Sequence, residues 1–492
     1  MLPLGELLDG TPILRSSSQS DLASITVDFA RLATGSVFFK LRSPQFRRSA
    51  AESIRRGAEY VVLQDGDREE RALPLSARYV IVDDVNQAFA RASAKLFGNV
   101  HRRLTLIGVT GTKGKTTVCH LIAAALRDSG IRAAVISSLA WRLPDSEHPA
   151  MNTTPIPLFL HRLLADLYAQ GGTHAVLEIS SIGIAEERVF GLQFDALAFT
   201  NLGTDHFEYH GGRDAYIAAK RRLFTEPVFH RTSSTLCAVN ADDAVGRELA
   251  ESSRGRVVTF GFHDADVTPQ SCSFDTTGIS MRLNSCELRS PLLGRHNASN
   301  VLAAAVVVRD VLHSKDAPLH LQNVGPIPGR LEKLSSPLDV DVFVDYAHTP
   351  ESVEAALSAL REIGGSRKLI SVIGCSGNSD KAKRPLIARA ATAGSDVCIF
   401  TSDNPGFENP ASIVMDMLKG AAGAAPNRVK AIVDRHAAIA AAIREAMPGG
   451  VVILMGKGVE RFQLIQGQKI AHSDHDVAMD VLRQLAAECG GG

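Results

Sequence analysis

Apolar residues along the chain gather in short runs, and the stretches between them carry apolar positions at helical spacing. In the first hundred residues, runs at 36–40, 60–63 and 79–82 read as strands. A polar helix over 49–57 and a second helix over 85–97 accompany them. Residues 98–103 are polar and irregular and mark a boundary. From 104 onward the pattern becomes strand, turn, helix, repeated. A strand over 104–109 precedes a helix over 116–129 that stops near Gly130. Further buried strands are predicted at 133–136, 175–179, 196–201 and 236–240, which implies a parallel sheet covered on both faces. Residues 257–291 alternate in short runs and suggest an antiparallel addition, after which 297–311 returns to helix. The stretch 312–329, rich in proline, glycine and polar residues, gives a second boundary. Strands at 340–345, 369–374, 397–401, 431–434 and 451–455, with helices between them and a last helix over 476–488, form another such series. The expected fold is α/β, with three consecutive α/β domains at 1–100, 101–325 and 326–492.

Composition narrows the function classes. Lysine plus arginine and aspartate plus glutamate each number 53, so no global field draws in nucleic acid or an anionic membrane. Neither is expected as a partner. The seven cysteines (Cys119, Cys237, Cys272, Cys286, Cys375, Cys398 and Cys489) are odd in number and widely spaced, with no CxxC pair. Reduced thiols are expected rather than a disulfide framework or a zinc knuckle. The N-terminus has no basic segment before a long apolar core, and no apolar run reaches about 18 residues. A cytoplasmic protein, monomeric or weakly oligomeric, is expected.

The strongest local signal is GVTGTKGKTT at 108–117. A strand that ends in a glycine-rich turn and opens a helix aims several backbone N–H groups at one point, where the helix dipole adds positive charge. Gly111 and Gly114 let the backbone approach phosphates, Lys115 reaches the terminal phosphates, and the Thr116 hydroxyl sits on a magnesium ion. The strict pattern has glycine where this chain has Val109.

Other strings follow in order: NTTP at 152–155, EISSIG at 178–183, FTNLGTDHFEYHG at 199–211, YIAAKRRLF at 216–224 and VNADD at 239–243. GRHNASN at 294–300, PGRLE at 328–332, VDYAHTPESV at 344–353, GCSGNSDKAKRP at 374–385, TSDNP at 401–405 and GKGVERFQ at 456–463 complete the series. With the phosphate loop, this order and spacing resemble the Mur ligases of the MurE type, over roughly residues 104–480. That type adds the third amino acid to UDP-N-acetylmuramoyl-dipeptide. The resemblance implies a central P-loop ATPase-like parallel sheet and a C-terminal Rossmann-like domain. It implies ATP, two magnesium ions, a small-molecule carboxylate and an amino acid or other amine. The carboxylate becomes an acyl phosphate, the amine attacks it, and phosphate leaves; positioning and charge neutralisation carry the rate.

By the same resemblance, Thr116 and Glu178 hold one magnesium, and His206 with a carbamylated Lys220 holds the second. The CO2-derived carbamate would turn a cation that repels metal into a carboxylate-like ligand. Gly111, Thr112, Lys113, Gly114, Lys115, Thr116 and Thr117 would cradle the nucleotide with Asn297, Asn300, Arg330, Asp345, Tyr346 and His348. Thr153, Thr154, Ser180, Arg188, Asp403, Asn404, Gly406, Gly456 and Glu460 would contact the other substrates. A zinc site on His206 and His210, four apart, is the weaker reading, since no third ligand accompanies them.

Departures cluster where substrate is read. The family's DSR stretch corresponds to Asp28-Phe29-Ala30, and its DGH segment to Ser43-Pro44-Gln45-Phe46. SSHG appears as SSIG with Ile182, and GKGHE as GKGVE with Val459. Gly406 stands where diaminopimelate-adding members carry an arginine that would grip the distal carboxylate. The expectation is therefore a ligase that keeps the ATP chemistry but joins a different carboxylate and amine. The alternative is the peptidoglycan step itself, with a third amino acid such as lysine rather than meso-diaminopimelate. A non-catalytic nucleotide-binding protein is disfavoured by the intact Lys115, Thr116, Glu178, His206 and Lys220.

Overall fold

A computed structural model of the chain describes residues 4–490 except 12, 17–23, 28–35, 44–47, 75, 204–206, 276, 285, 314–320, 322–323 and 379. His206, Asp28-Phe29-Ala30 and Pro44-Gln45-Phe46 therefore lie outside the described residues, as does part of the expected boundary at 312–329. Three α/β units follow one another, each built on its own sheet.

The first sheet has the order Ile13–Ser16, Tyr79–Val82, Ala58–Gln64, Ser36–Phe39, Ser24–Thr26. Only its Ile13–Ser16 edge runs antiparallel. The helix Val85–Leu96 starts at Asp84, whose carboxylate accepts from the N–H groups of Asn86 and Gln87. Its apolar face buries Val85, Ala88, Phe89 and Ala92 in the core of this unit. The helix also packs against Pro157–Ala169 of the next unit.

The central sheet runs Arg256–Phe260, Leu236–Asn240, Ala196–Phe199, Thr105–Thr110, His174–Glu178, Ala133–Ile136, Ala140–Arg142, Glu147–Pro149. The first six strands are parallel, and all but the edge strand Arg256–Phe260 are buried on both faces, as their continuous apolar runs require. Helices Lys115–Asp128 and Arg295–Val311 cover one face, and Pro157–Ala169 and Arg213–Thr225 cover the other. Thr105–Thr110 lies in the middle, with Val109 in register with Glu178 and Thr110 with Phe199. That register brings three strand ends to one place.

Two details differ from the expected pattern. Arg256–Phe260 pairs parallel with Leu236–Asn240 and belongs to the main sheet. The antiparallel addition begins only at Ser271–Asp275, followed by Gly278–Leu283 and Cys286–Ser290. The edge hairpin Ala140–Arg142 with Glu147–Pro149 carries no apolar periodicity, and its outer strand is fully exposed.

The third sheet has the order Glu332–Leu334, Val340–Asp345, Gly450–Met455, Leu369–Cys375, Val397–Ser402, Val429–Ala431, antiparallel only at its first strand. The strand expected at 431–434 ends at Ala431 because Asp434 instead caps the helix Arg435–Ala446, accepting from the Ala437 N–H. The six cysteines with described side chains are free thiols. Among the described residues, no helix is long and apolar enough to cross a membrane.

One buried ion pair ties this last unit together. Arg435 and Asp474 are both fully buried, and the guanidinium donates to Asp474 Oδ1 at 2.7 Å and Oδ2 at 2.5 Å. It also donates to the carbonyls of Ser402 and Met455, at the ends of the two strands that flank Leu369–Cys375. Burial by itself raises the Asp474 carboxyl, but the Arg435 guanidinium outweighs it and holds it well below the usual carboxylate range. Asp474 thus contributes stability that is present above the ordinary carboxylate pKa and is lost as pH falls toward the depressed one. Asp474→Asn is expected to destabilise the protein by about 3–5 kcal/mol in denaturant unfolding at neutral pH. The difference from wild type should shrink in acid.

Candidate active site

The site begins at the end of the strand Thr105–Thr110. Gly111 has φ +146°, and a Cβ there would lie 1.9 Å from Thr200 Oγ1. Gly114 has φ +83°, and its Cβ would meet Asn300 Oδ1 at 2.3 Å. Both positions demand glycine on conformation and on space. The next strand end fixes the loop between them. The Thr112 and Lys113 N–H groups donate to the Asn201 carbonyl (2.8 Å) and side-chain oxygen (3.0 Å). The Thr200 hydroxyl donates to the Lys113 carbonyl at 2.6 Å. Lys115, the first residue of the helix, donates to the Thr112 carbonyl at 2.8 Å.

Glu178 ends the adjacent strand and is 3% exposed. Its Oε2 accepts from the Thr116 hydroxyl (3.0 Å) and from the Ser138 N–H (2.9 Å) and hydroxyl (3.1 Å). A hydroxyl and a carboxylate side by side at a helix N-terminus are hard oxygen donors of the kind magnesium takes. Lys220, on Arg213–Thr225, is 1% exposed. Its Nζ donates to the Gly111 carbonyl at 2.7 Å and lies 4.6 Å from the centre of the Tyr216 ring. The Tyr216 hydroxyl in turn meets Thr112 Oγ1 at 2.9 Å. His210 Nε2 is engaged with the Ser181 hydroxyl at 3.0 Å. Among the described residues, no cluster of three or more His, Cys, Asp or Glu forms a metal cage.

The C-terminal unit closes over this loop. Arg330 donates to the Thr116 hydroxyl at 3.3 Å, with its guanidinium 5.0 Å from the centre of the Tyr346 ring. Asp345 accepts from the N–H groups of Leu331 (2.6 Å) and Ala347 (2.7 Å), which shapes the turn that presents Arg330. Burial raises the Asp345 carboxyl, against the pull of Arg330. His348 packs edge-on to Tyr346 and is held by the Tyr346 carbonyl at 2.7 Å. Asn300 donates to Asn297 Oδ1 at 2.9 Å, and Asn297 to the Leu293 carbonyl at 2.8 Å.

Three adjoining cavities result. One of about 350 Å³ is lined by Lys113, Gly114, Thr117, Asn297, Asn300 and Asp345. A second of about 350 Å³ is lined by Lys115, Thr116, Ser138, Thr153, Glu178 and Arg330. The third, about 810 Å³, holds Asp403, Asn404, Gly456, Asp380, Lys383 and Glu208. Tyr346 and His348 border all three, and Glu460 borders the second and third.

Not every expected contact residue faces open space. The Thr154 hydroxyl donates to the Glu178 carbonyl and accepts from the Ser180 N–H, which makes it a brace behind Glu178. Arg188 is 4% exposed and spans Glu186 and the Thr154 carbonyl. Gly406 lines none of the three cavities. Its φ is +61°, and its N–H and carbonyl pair with Leu464 and Gln466 of the neighbouring hairpin.

Sequence reasoning missed Ser138, Tyr216 and Lys457. Lys457 is fully buried, and its Nζ reaches Glu460 (2.9 Å), Asn404 (3.0 Å) and Asp403 (3.3 Å). Its place in GKGVE was the available signal. Ser138 was marked only by following a buried strand.

Residues 109–308 match the Mur ligase middle domain, and 329–458 match the Mur ligase glutamate ligase domain. A UDP-N-acetylmuramoyl-L-alanyl-D-glutamate–2,6-diaminopimelate ligase of Geobacillus kaustophilus is 34% identical over 474 residues, covering 94% of this chain and 95% of that protein. The ligase of the same name from Nitrosomonas europaea is 37% identical over 426 residues, 80% of each chain. A solved structure of a ligase so named superposes with a TM-score of 0.65 at 30% identity, covering 94% of this chain and 95% of that one. With a phosphate loop, a neighbouring carboxylate and a closing C-terminal arginine around one cavity, and with these likenesses along nearly its whole length, the chain belongs to the Mur ligase family as a MurE-type, ATP-dependent, ADP-forming amino acid ligase.

Proposed function

We propose that this ligase keeps the MurE-type reaction but joins a substrate pair other than the one in its relatives' names. For the reaction itself, the observation that carries the reading is the meeting of Lys115, Thr116, Glu178 and Arg330 around one cavity. The triphosphate lies along the loop, with Lys115 and Arg330 offsetting charge on its terminal phosphate. A carboxylate oxygen of the first substrate attacks the γ-phosphorus and ADP leaves. The amine nitrogen, in its neutral form, then attacks the acyl carbon, and inorganic phosphate departs with the bonding electrons. The third cavity supplies the amine, past Glu460 and His348 at the shared border.

Mur ligases use ATP and magnesium, and the donors present fit that ion. Thr116 and Glu178 would hold one magnesium, and His206 with Lys220 the second; bound there, the ions would neutralise the two anionic reactants. Lys220 is buried, with its Nζ 2.7 Å from the Gly111 carbonyl at the loop, and it is the residue that would carry the carbamate. The first unit takes the carboxylate substrate, which reaches the loop past Thr153.

The substrate reading rests on Gly406. Its backbone is committed to the hairpin, and a Cβ would lie 2.9 Å from Asn378 Nδ2. No guanidinium is offered there. Among the described residues, the arginine lining the amine cavity is Arg384, which is 1% exposed and already held by Glu408 and Asp416. Lys383 faces Glu208 across the cavity at 3.8 Å. A distal carboxylate such as that of meso-diaminopimelate therefore lacks its bidentate partner.

ADP release measured with a panel of carboxylates and amines tests this reading. UDP-N-acetylmuramoyl-L-alanyl-D-glutamate with meso-diaminopimelate is expected to give less turnover than another pair. Highest turnover with that combination would refute the substrate assignment while leaving the ligase chemistry intact. Lys220→Ala is expected to lower kcat by about 100-fold or more, the scale of losing one charge-stabilising group. ATP affinity should change little. Unchanged kcat would remove the carbamate from the account.

A further inference from the structure

A fourth cavity, of about 640 Å³, adjoins the one lined by Lys115, Thr116 and Glu178, with Leu139, Pro328 and Val459 lining both. Its volume is in the range of small-molecule sites. One wall belongs to the central unit. His120, Ala124 and Arg127 lie at i, i+4 and i+7 on the helix Lys115–Asp128 and share one face, while Arg142 and Glu147 come from the edge hairpin. The other wall belongs to the C-terminal unit and presents Glu332, Arg461, His475 and Asp476. Residues 324–328 join the two walls.

Formal charges in this lining balance, three arginines against three carboxylates, so net charge does not choose a ligand. The uncommitted hydrogen-bond donors do. Each carboxylate already has a partner. Glu147 accepts from Arg142 Nε at 2.7 Å, Glu332 from the Gly329 N–H at 2.8 Å, and Asp476 from His475 Nδ1 at 3.2 Å. The guanidinium groups are less engaged. Arg127 gives only its Nε, to the Ala123 carbonyl of its own helix at 3.3 Å. Arg461 acts on Asp476 through space, without a hydrogen bond from its side chain among the described residues. The terminal nitrogens of Arg127, Arg142 and Arg461 are thus open on both walls. His120 reports the field on the central wall. Burial lowers its pKa to about 4, and Arg142, Arg127 and Arg330 push the same way against Glu147. It is therefore neutral at neutral pH, and its Nε2 meets the Ser137 hydroxyl at 3.2 Å.

We propose that this cavity is a second ligand site, for a small organic dianion that acts as an effector by bridging Arg127 and Arg142 of the central unit to Arg461 of the C-terminal unit. Dicarboxylates and phosphate esters share the required chemistry, oxygens that accept paired guanidinium N–H donors. Because the two walls belong to different units, the bound dianion favours the arrangement in which Arg330 reaches Thr116. Dianion and nucleotide then strengthen each other's binding by the same factor, as linkage requires. The site is separate from both substrates, so it stands or falls independently of the substrate pair.

Calorimetric titration of the full-length protein tests this with two probes, succinate and glycerol 3-phosphate, in saturating ADP and magnesium so that the phosphate loop is filled. At least one probe is expected to bind wild type with a millimolar or tighter Kd, and comparing the two tells a carboxylate ligand from a phosphate ester. Arg127→Gln combined with Arg461→Gln should weaken that binding about tenfold or more, the scale of lost charge-assisted hydrogen bonds. The melting temperature, and the ADP affinity without probe, should not change. Lysine at both positions should restore part of the binding. ADP is expected to bind wild type about fivefold more tightly when the probe is present, and this coupling should vanish in the glutamine double variant. Failure of both probes to bind wild type at millimolar concentration would overturn the proposal. So would binding that survives in the double variant, or binding that leaves ADP affinity unchanged.

Discussion

The site is organised on one hydroxyl. Thr116 Oγ1 lies 3.0 Å from Glu178 Oε2, 3.1 Å from the Ser138 hydroxyl and 3.3 Å from the guanidinium of Arg330. Those groups come from the ends of two strands of the central sheet and from the start of the C-terminal unit. The hydroxyl can meet all of them only because parallel register brings Val109 opposite Glu178, and because glycine at 111 and 114 lets the loop lie against Thr200 and Asn300. A sheet slipped by one residue would turn Glu178 to the other face. The chemistry therefore depends on strand register before it depends on any single catalytic group.

The arrangement also explains why the protein needs several units. A terminal phosphate meeting a substrate carboxylate concentrates negative charge, and water competes with the amine for the acyl phosphate. Arg330 adds a cation from the closing unit, which links charge neutralisation to exclusion of water. The cavity proposed for the amine sits almost wholly on the closing unit, and the central unit is braced to the first unit through Ser43, Asn86 and Glu186. On the proposed assignment, each substrate approaches the loop from a different part of the chain. Substrate preference can change there without disturbing Thr116 and Glu178.

Much of this was legible in the sequence, and the reasons are physical. Parallel strands buried on both faces read as unbroken apolar runs, so 104–109, 175–179 and 196–201 stood out. Lys115 and Thr116 were legible because a phosphate loop is contiguous. Glu178 and Arg330 carried no local signal, and only the family resemblance marked them. The hairpin at Ala140–Pro149 was invisible because its outer strand is short and exposed. Arg435 and Asp474, 39 residues apart, showed nothing in sequence of the buried pair they form. The partnership of Glu186 with Arg188 was equally hidden. Two neighbouring opposite charges look like a solvated turn until the fold buries them.

The central claim is that the Thr116 hydroxyl joins the Glu178 carboxylate to the closing arginine. The most direct test is kcat for ADP release, with the carboxylate and amine that support wild-type turnover, for Thr116→Ala beside Thr116→Ser. The account predicts a loss of about 100-fold or more in Thr116→Ala, with an unchanged melting temperature, and near-wild-type rates in Thr116→Ser. A Thr116→Ala protein that turns over like wild type would contradict it.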